Sequence, residues 1–226
     1  VARHAERTFV AFAPALDRLK RAEVVGNPLD RDFEDFNRET IRPRALRRYG
    51  LDPSRPVVGV FGGSQGAQAL NEATVALASV EHRSFSILHL TGVDHHAHLS
   101  RLATGAPDWV TEAFEEQMTD FYAASDLVLS RSGALTVSEL AATGTPSVVV
   151  PLPAGKGYQA MNAQDLEQAG GTVIVRQDRI TSVPDILTRL IADPEQLGTM
   201  RSGARSIAKP DAARRVARAL REIANA

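Results

Sequence analysis

Cysteine is absent from the 226 residues, which excludes disulfides and thiolate metal sites and permits, without showing, a reducing compartment. No apolar run approaches the roughly 20 residues of a membrane-spanning helix. No basic-then-apolar leader is visible either, so the sequence reads as cytoplasmic. Lysine is scarce: Lys20, Lys156 and Lys209 stand among 26 basic residues, the rest being arginine. That bias fits a GC-rich genome better than a binding function. The net charge of −1 argues against a nucleic-acid surface but leaves room for a local anion site. Short repeats and low-complexity tracts are missing too.

What is present suits a full core, with 43% hydrophobic residues, enough for one large domain or one domain with part of another. The chain opens at Val1 within VARHAERTFVAFAPAL without a helix cap, which reads as a cut. Short apolar runs alternate with helical stretches along the chain. Strands are expected at 8–12, 22–26, 57–62, 85–90, 108–113, 126–130, 147–151 and 172–175. Helices are expected at 43–49, 65–79, 116–124, 134–143, 159–169, 182–191, 194–207 and 211–224. Strands that are apolar on both faces and alternate with helices predict an α/β fold, a parallel sheet covered on both sides. Residues 27–56, with Pro28, Pro43, Pro53 and Pro56, read as a linker, and 57–226 as the main domain.

The stretch FGGSQG (61–66) follows a buried strand and precedes a helix. Gly62, Gly63 and Gly66 would let this loop approach a phosphate closely, with Ser64 as a hydroxyl donor; otherwise they only make a tight turn. It is neither a Walker loop nor a dinucleotide fingerprint. A second loop, SRSGALTVSEL (130–140), has the same layout. Gly133 permits a turn, a helix begins with free amides near Leu135 and Thr136, and Glu139 lies one turn on, where a carboxylate can accept both hydroxyls of a ribose or simply balance the helix dipole. In a third stretch, PLPAGKGYQAMN (151–162), Gln159 and Asn162 share a helix face suited to sugar hydroxyls. Two phosphate-type loops in one sheet favour a nucleotide site.

GGSQGAQALN, LHLTG, the WVTEAF…MTDFYAASDLVLSRSGALTVSELAATGTPSVVVPLP run and QAMNAQDLEQAG, in that order, resemble the C-terminal half of the undecaprenyldiphospho-muramoylpentapeptide β-N-acetylglucosaminyltransferases. The resemblance covers nearly the whole chain. It implies a GT-B enzyme whose Rossmann-like C-terminal domain binds UDP-N-acetylglucosamine and transfers the sugar, with inversion, to lipid I. It further implies that residues 1–26 close an N-terminal acceptor domain, which would carry the catalytic groups and any peripheral membrane contact at the cytoplasmic face. By motif, Gly63, Ser64, Gln65 and Gly66 would contact the donor and the backbone of Glu115 would meet uracil. Ala134, Leu135, Thr136, Val137 and Ser138 would hold the diphosphate, Glu139 the ribose, and Gln159 with Asn162 the sugar. No cofactor or metal is implied.

The chain departs from the family in two places. GNPLDR (26–31) puts Asp30 where the family has a diphosphate-binding arginine, with Arg31 beside it, and Tyr158-Gln159 replaces paired glutamines in the sugar loop. His95, His96 and His98, with Asp94, read as a polar loop rather than a metal site, and His89 as a strand end. The arginines of the last helix (214, 215, 218 and 221) read as a solvated or domain-bridging face. A GT-B enzyme using another UDP-sugar, and a non-catalytic donor-binding subunit, remain as alternatives.

Overall fold

The computed structural model describes residues 5–17, 19, 22–63, 65–153 and 157–225. A short parallel pair, β1 (Thr8–Val10) and β2 (Ala22–Val24), is followed by helices α1 (Arg31–Glu34) and α2 (Arg38–Tyr49). The main unit then runs β3 (Val57–Phe61), α3 (Gln68–Ala78), β4 (Ser86–Leu90), α4 (Val93–Ala103), β5 (Trp109–Glu112), α5 (Met118–Ala124), β6 (Leu127–Ser130), α6 (Ala134–Thr143), β7 (Ser147–Val149), α7 (Tyr158–Gln168) and β8 (Thr172–Ile174). Helices α8 (Val183–Ile191), α9 (Pro194–Ser206) and α10 (Ala212–Ala224) complete it. Among the described residues the main sheet has six strands, all parallel, in the order β5-β4-β3-β6-β7-β8. This is a doubly wound, Rossmann-like sheet, as the sequence pattern predicts.

Alternation along each strand explains the two covered faces. Val57, Phe61, Leu88, Leu90, Val128 and Val149 point into one core, which α2, α5, α6 and α7 close. Val58, Val60, Ile87, Leu127, Leu129 and Val148 point into the other, closed by α3, α8 and α9. Because both faces are buried, odd and even positions are equally apolar, and the strands read as continuous hydrophobic runs.

The stretch expected as a linker carries a substantial helix. Asn37 caps α2 by accepting from the Thr40 N–H at 3.2 Å, and Ala45, Leu46 and Tyr49 are buried against the domain. Helix α2 therefore starts a turn before Pro43, whose exposed position in the second turn removes one hydrogen bond on the solvent side. A second correction concerns His95, His96 and His98. They lie on α4 rather than in a loop, because Gly92 (φ 81°) turns the chain out of β4 straight into a helix whose inward face carries Leu99 and Ala103. At the ends of the chain, Arg7 meets Glu222 at 3.0 Å and Glu23 at 3.1 Å, while Arg215 meets Glu23 at 2.5 Å. These exposed pairs hold α10 against β2 with little net energy.

Candidate donor-binding site

Strand order reverses between β3 and β6, where Phe61 pairs with Ser130 at the carboxyl ends. The loops after these two strands therefore emerge side by side, at the topological switch point where such sheets bind ligands. Helices α3, α6 and α7 all begin at this end, with Ala67, Gly133 and Gly157 in the N-cap positions and no side-chain cap on any of them. Away from the loops, α9 is capped by Asp193 at 2.9 Å, whereas α8 and α10 also lack a side-chain cap. In α6 the first intrahelical bond runs from the Val137 N–H to the Gly133 carbonyl. The amides of Ala134, Leu135 and Thr136 thus point out of the helix start, the arrangement that favours an anion. A cleft of about 580 Å³ opens here, lined among others by Gly63, Gly66, Arg131, Gly133, Thr136 and Gln159.

The three glycines of FGGSQG divide by cause. A Cβ on Gly66 (φ 75°) would run into the Thr91 carbonyl oxygen, and one on Gly62 into Ala67; both positions are dictated by packing within the fold. Gly63 (φ 97°) has open space where its Cβ would be, and all three glycines line the cleft. Packing within the fold already accounts for glycine at 62 and 66, so the expectation of space cleared for a phosphate rests most directly on Gly63. Ser64 lies outside the described residues. Gln65 is exposed, and its backbone packs closely against Gly92.

The other expected residues separate into three groups. Thr136 and Gln159 line the cleft, with the Gln159 Oε1 accepting from the Leu152 N–H at 2.9 Å. Asn162 does not line it; its amide donates to the Ser132 carbonyl at 3.2 Å and ties α7 to the loop before α6. Ala134 and Leu135 are exposed at the helix start, whereas Val137 and Ser138 turn toward Asn27 and a separate apolar cavity of about 410 Å³. Asn27 donates to the Ala134 carbonyl at 3.0 Å and to the Ser138 hydroxyl at 2.9 Å, anchoring the first turn of α6.

Glu115 and Glu139 stand outside the cleft, flanking α5. Only 5% of Glu115 is exposed, and its carboxylate accepts from Arg48 (2.9 Å), the Tyr49 hydroxyl (2.6 Å) and the Gln117 N–H (2.7 Å). The side chain is consumed in fixing this turn, which leaves its main chain as the part able to meet a base. Burial and the adjacent Glu115 push the Tyr49 hydroxyl well above its ordinary value. Glu139 accepts from the Tyr122 hydroxyl at 2.8 Å. Burial holds its carboxyl above the usual range, Tyr122 opposes this, and the charge of Asp30 adds to it.

Arg131 was not singled out by the sequence, although it is a lone cation in SRSGALT. It lines the cleft, donates to the Val150 carbonyl at 2.9 Å, and is pulled below its ordinary value by burial. Gln177, also unforeseen, reaches the cleft from beyond β8, its buried Oε1 without a partner among the described residues. His89 sits in the core, bonded to the Asn71 Oδ1 at 3.0 Å and stacked on Trp109; burial brings it down to about 3, so it is neutral. Among the described residues no three His, Asp or Glu side chains converge on a metal position.

Residues 57–216 match the model of the glycosyltransferase family 28 C-terminal domain. The chain is 39% identical over 227 aligned positions to the UDP-N-acetylglucosamine--N-acetylmuramyl-(pentapeptide) pyrophosphoryl-undecaprenol N-acetylglucosamine transferase of Mycobacterium avium, covering 98% of this chain and 55% of that protein. The protein of the same name from Mycobacterium tuberculosis is 38% identical, with 91% of this chain and 51% of that one aligned. Among solved structures, MurG of Acinetobacter baumannii superposes with a TM-score of 0.73 at 27% identity, covering 98% of this chain and 61% of that one. This chain spans about half the length of the curated relatives it matches. With its family model, its doubly wound sheet and its uncapped helix starts at the switch point, the chain belongs to the glycosyltransferase family 28 C-terminal domain family.

Proposed function

We propose that this chain binds UDP-N-acetylglucosamine and is the donor half of an inverting transferase that delivers N-acetylglucosamine to the lipid-linked muramoyl pentapeptide, forming lipid II at the cytoplasmic face of the membrane. The observation that carries the reading is the start of α6: three outward amides and no side-chain cap, directly across the switch point from Gly63. The diphosphate takes the amides of Ala134, Leu135 and Thr136, the sugar takes the cleft with Gln159 and Arg131, and the nucleoside lies toward Glu115 and Glu139. The match to transferases of that name over 98% of the chain supports the choice of donor and acceptor.

In such a transfer the C4 hydroxyl of the acceptor attacks the anomeric carbon as a base removes its proton, and UDP departs. Fixed amides at α6 and the Arg131 guanidinium meet the charge that builds on the leaving diphosphate, a contribution of several kcal/mol in comparable sites. The base and the acceptor site are assigned to the part of the longer relatives that this chain does not span. Acceptor binding, including any membrane contact, belongs there too. Among the described residues no helix is long and apolar enough to cross a membrane.

Calorimetric titration with UDP, UDP-N-acetylglucosamine and UDP-glucose tests the reading. Binding of UDP with preference for the N-acetylated sugar is the expected result. Equal or better binding of UDP-glucose would move the assignment to another UDP-sugar, and no binding of UDP would reject it. The isolated chain is expected to bind without turnover, and robust transfer to a lipid I analogue would show that the base lies within these residues.

A further inference from the structure

At the other end of the sheet lies a cavity of about 410 Å³, walled by Arg38, Arg201 and Arg205 with Asn37, Glu39 and Ala142. Asp126, which immediately precedes β6, marks this as the amino end of the strands. Two guanidiniums bind that single aspartate, and two more, Arg201 and Arg205, stand beside them on the wall. Arg38 takes its Oδ1 at 2.6 Å, Arg42 takes Oδ2 at 2.8 Å, and the Val57 N–H donates to Oδ2 at 2.9 Å. The carboxylate is fully used. Arg201 and Arg205 make no ion pair among the described residues, and the only other acid on the wall is the exposed Glu39.

The hydrogen-bond inventory points the same way. Among the described residues, Arg201 Nη1 and Arg38 Nε are both buried donors without an acceptor. Burial, together with the charges of Arg38, Arg205 and Arg42, brings the Arg201 guanidinium down to about 10, Asp126 opposing. Gly144 contributes by omission: a Cβ there would collide with the Arg205 side chain, which lies across the end of α6. Arg205 is exposed, but Arg38 and Arg201 are half-buried, and half-buried charge with idle donors is unfavourable until an anion supplies the acceptors. Guanidinium forks suit an oxyanion with several acceptor oxygens better than a halide.

We propose that this cavity between α2, α6 and α9 is a second anion site, distinct from the donor cleft, that binds a phosphate group through Arg38, Arg201 and Arg205. Phosphate reaches it either as the free ion or as the headgroup of an anionic lipid. The competing account is that Arg201 and Arg205, in the later turns of α9, merely offset helix dipoles.

The test titrates the 226-residue chain with inorganic phosphate in saturating UDP and at constant ionic strength, following the melting temperature and calorimetric heat. Millimolar binding is expected in the parent chain, and at least about tenfold weaker binding in Arg201→Gln and Arg205→Gln. Because Arg201 is an unpaired half-buried cation, Arg201→Gln in phosphate-free buffer should melt no lower than the parent, which separates lost binding from lost folding. A second arm measures sedimentation with phosphatidylglycerol and with phosphatidylcholine vesicles. Binding to the anionic vesicles that needs Arg201 and is competed by phosphate identifies a lipid headgroup; a response to free phosphate alone identifies the ion. No phosphate response in the parent, or an equal response in both arginine variants, overturns the site.

Discussion

The Tyr122 hydroxyl donates a 2.8 Å hydrogen bond to Oε2 of Glu139, so a fully buried side chain of α5 aims the carboxylate of α6. The other carboxylate oxygen has no protein partner among the described residues. If Glu139 accepts the ribose hydroxyls, Tyr122→Phe should weaken UDP binding by about 1 kcal/mol, the usual worth of one such hydrogen bond. Calorimetry on the folded variant checks this. A loss of stability with unchanged UDP affinity would make the Tyr122 bond purely architectural.

The same carboxylate predicts two opposing effects. Glu139→Ala should lose about 1.5–3 kcal/mol of UDP affinity, as for a charge-assisted hydrogen bond, and discriminate less against 2′-deoxy-UDP. Yet the raised carboxyl opposes folding at neutral pH. An acid whose folded value lies above its unfolded one favours the native state below the unfolded value, and that contribution is lost as pH rises through the folded one. Glu139→Gln should therefore be more stable than the parent at pH 7.5, the gain disappearing in acid. Urea melts at both pH values decide it; a constant difference would contradict the assignment.

Gly66 and Gly63 should respond differently to alanine. Gly66→Ala forces a Cβ against the Thr91 carbonyl at positive φ and is expected to cost about 3 kcal/mol of stability. Gly63→Ala meets no atom and should cost only about 1 kcal/mol of backbone strain, with its larger effect on UDP-sugar affinity. Equal stability losses would refute the division.

Glu115 is a structural tie whose main chain faces the proposed nucleoside position. Glu115→Ala leaves the Tyr49 hydroxyl buried without its acceptor and should destabilise by about 2–3 kcal/mol, the Arg48 share being discounted because that side chain is half exposed. Tyr49→Phe should lose about 1 kcal/mol. Denaturant unfolding of the three chains checks the ordering.

Asp30 adds to the rise of the Glu139 carboxyl, so its charge reaches the proposed ribose position. Asp30→Arg should tighten UDP-sugar binding several-fold, and the gain should shrink with added salt because residue 30 is exposed. Weaker binding in Asp30→Arg would show that the Asp30 charge does not act on the donor.

Elements with clear punctuation were legible in the sequence. Helix α6 lies between Gly133 and Gly144, the latter a left-handed C-cap, and the expected and observed bounds coincide at 134–143. Helix α2 was read a turn too short because proline favours a helix start, while the actual cap, Asn37, lay outside the expected span. Helix α4 was missed because three histidines and an aspartate hide a sparse apolar face, Leu99 and Ala103. For the site, motif order located the loops, and topology then sorted their residues. Sequence spacing gave no sign that Asn162 would anchor the Ser132 carbonyl or that Val137 and Ser138 would face a different cavity. Arg131 escaped notice because lining a cleft depends on the neighbouring strand end, which no local pattern encodes.

The reversal of strand order at β3 also bears on how the chain assembles. Val58 pairs with Ile87 on one side and with Leu127 on the other, so the second pairing encloses a loop more than twice as long. Closing it costs only about 0.6 kcal/mol more per doubling. The sheet thus divides along the chain into two runs, β3-β4-β5 and β6-β7-β8, joined at one seam. Pairing along that seam brings the glycine loop and the start of α6 together, so ligand-binding competence depends on the longest-range pairing in the sheet, and amides along the seam should exchange with solvent only when the whole sheet opens.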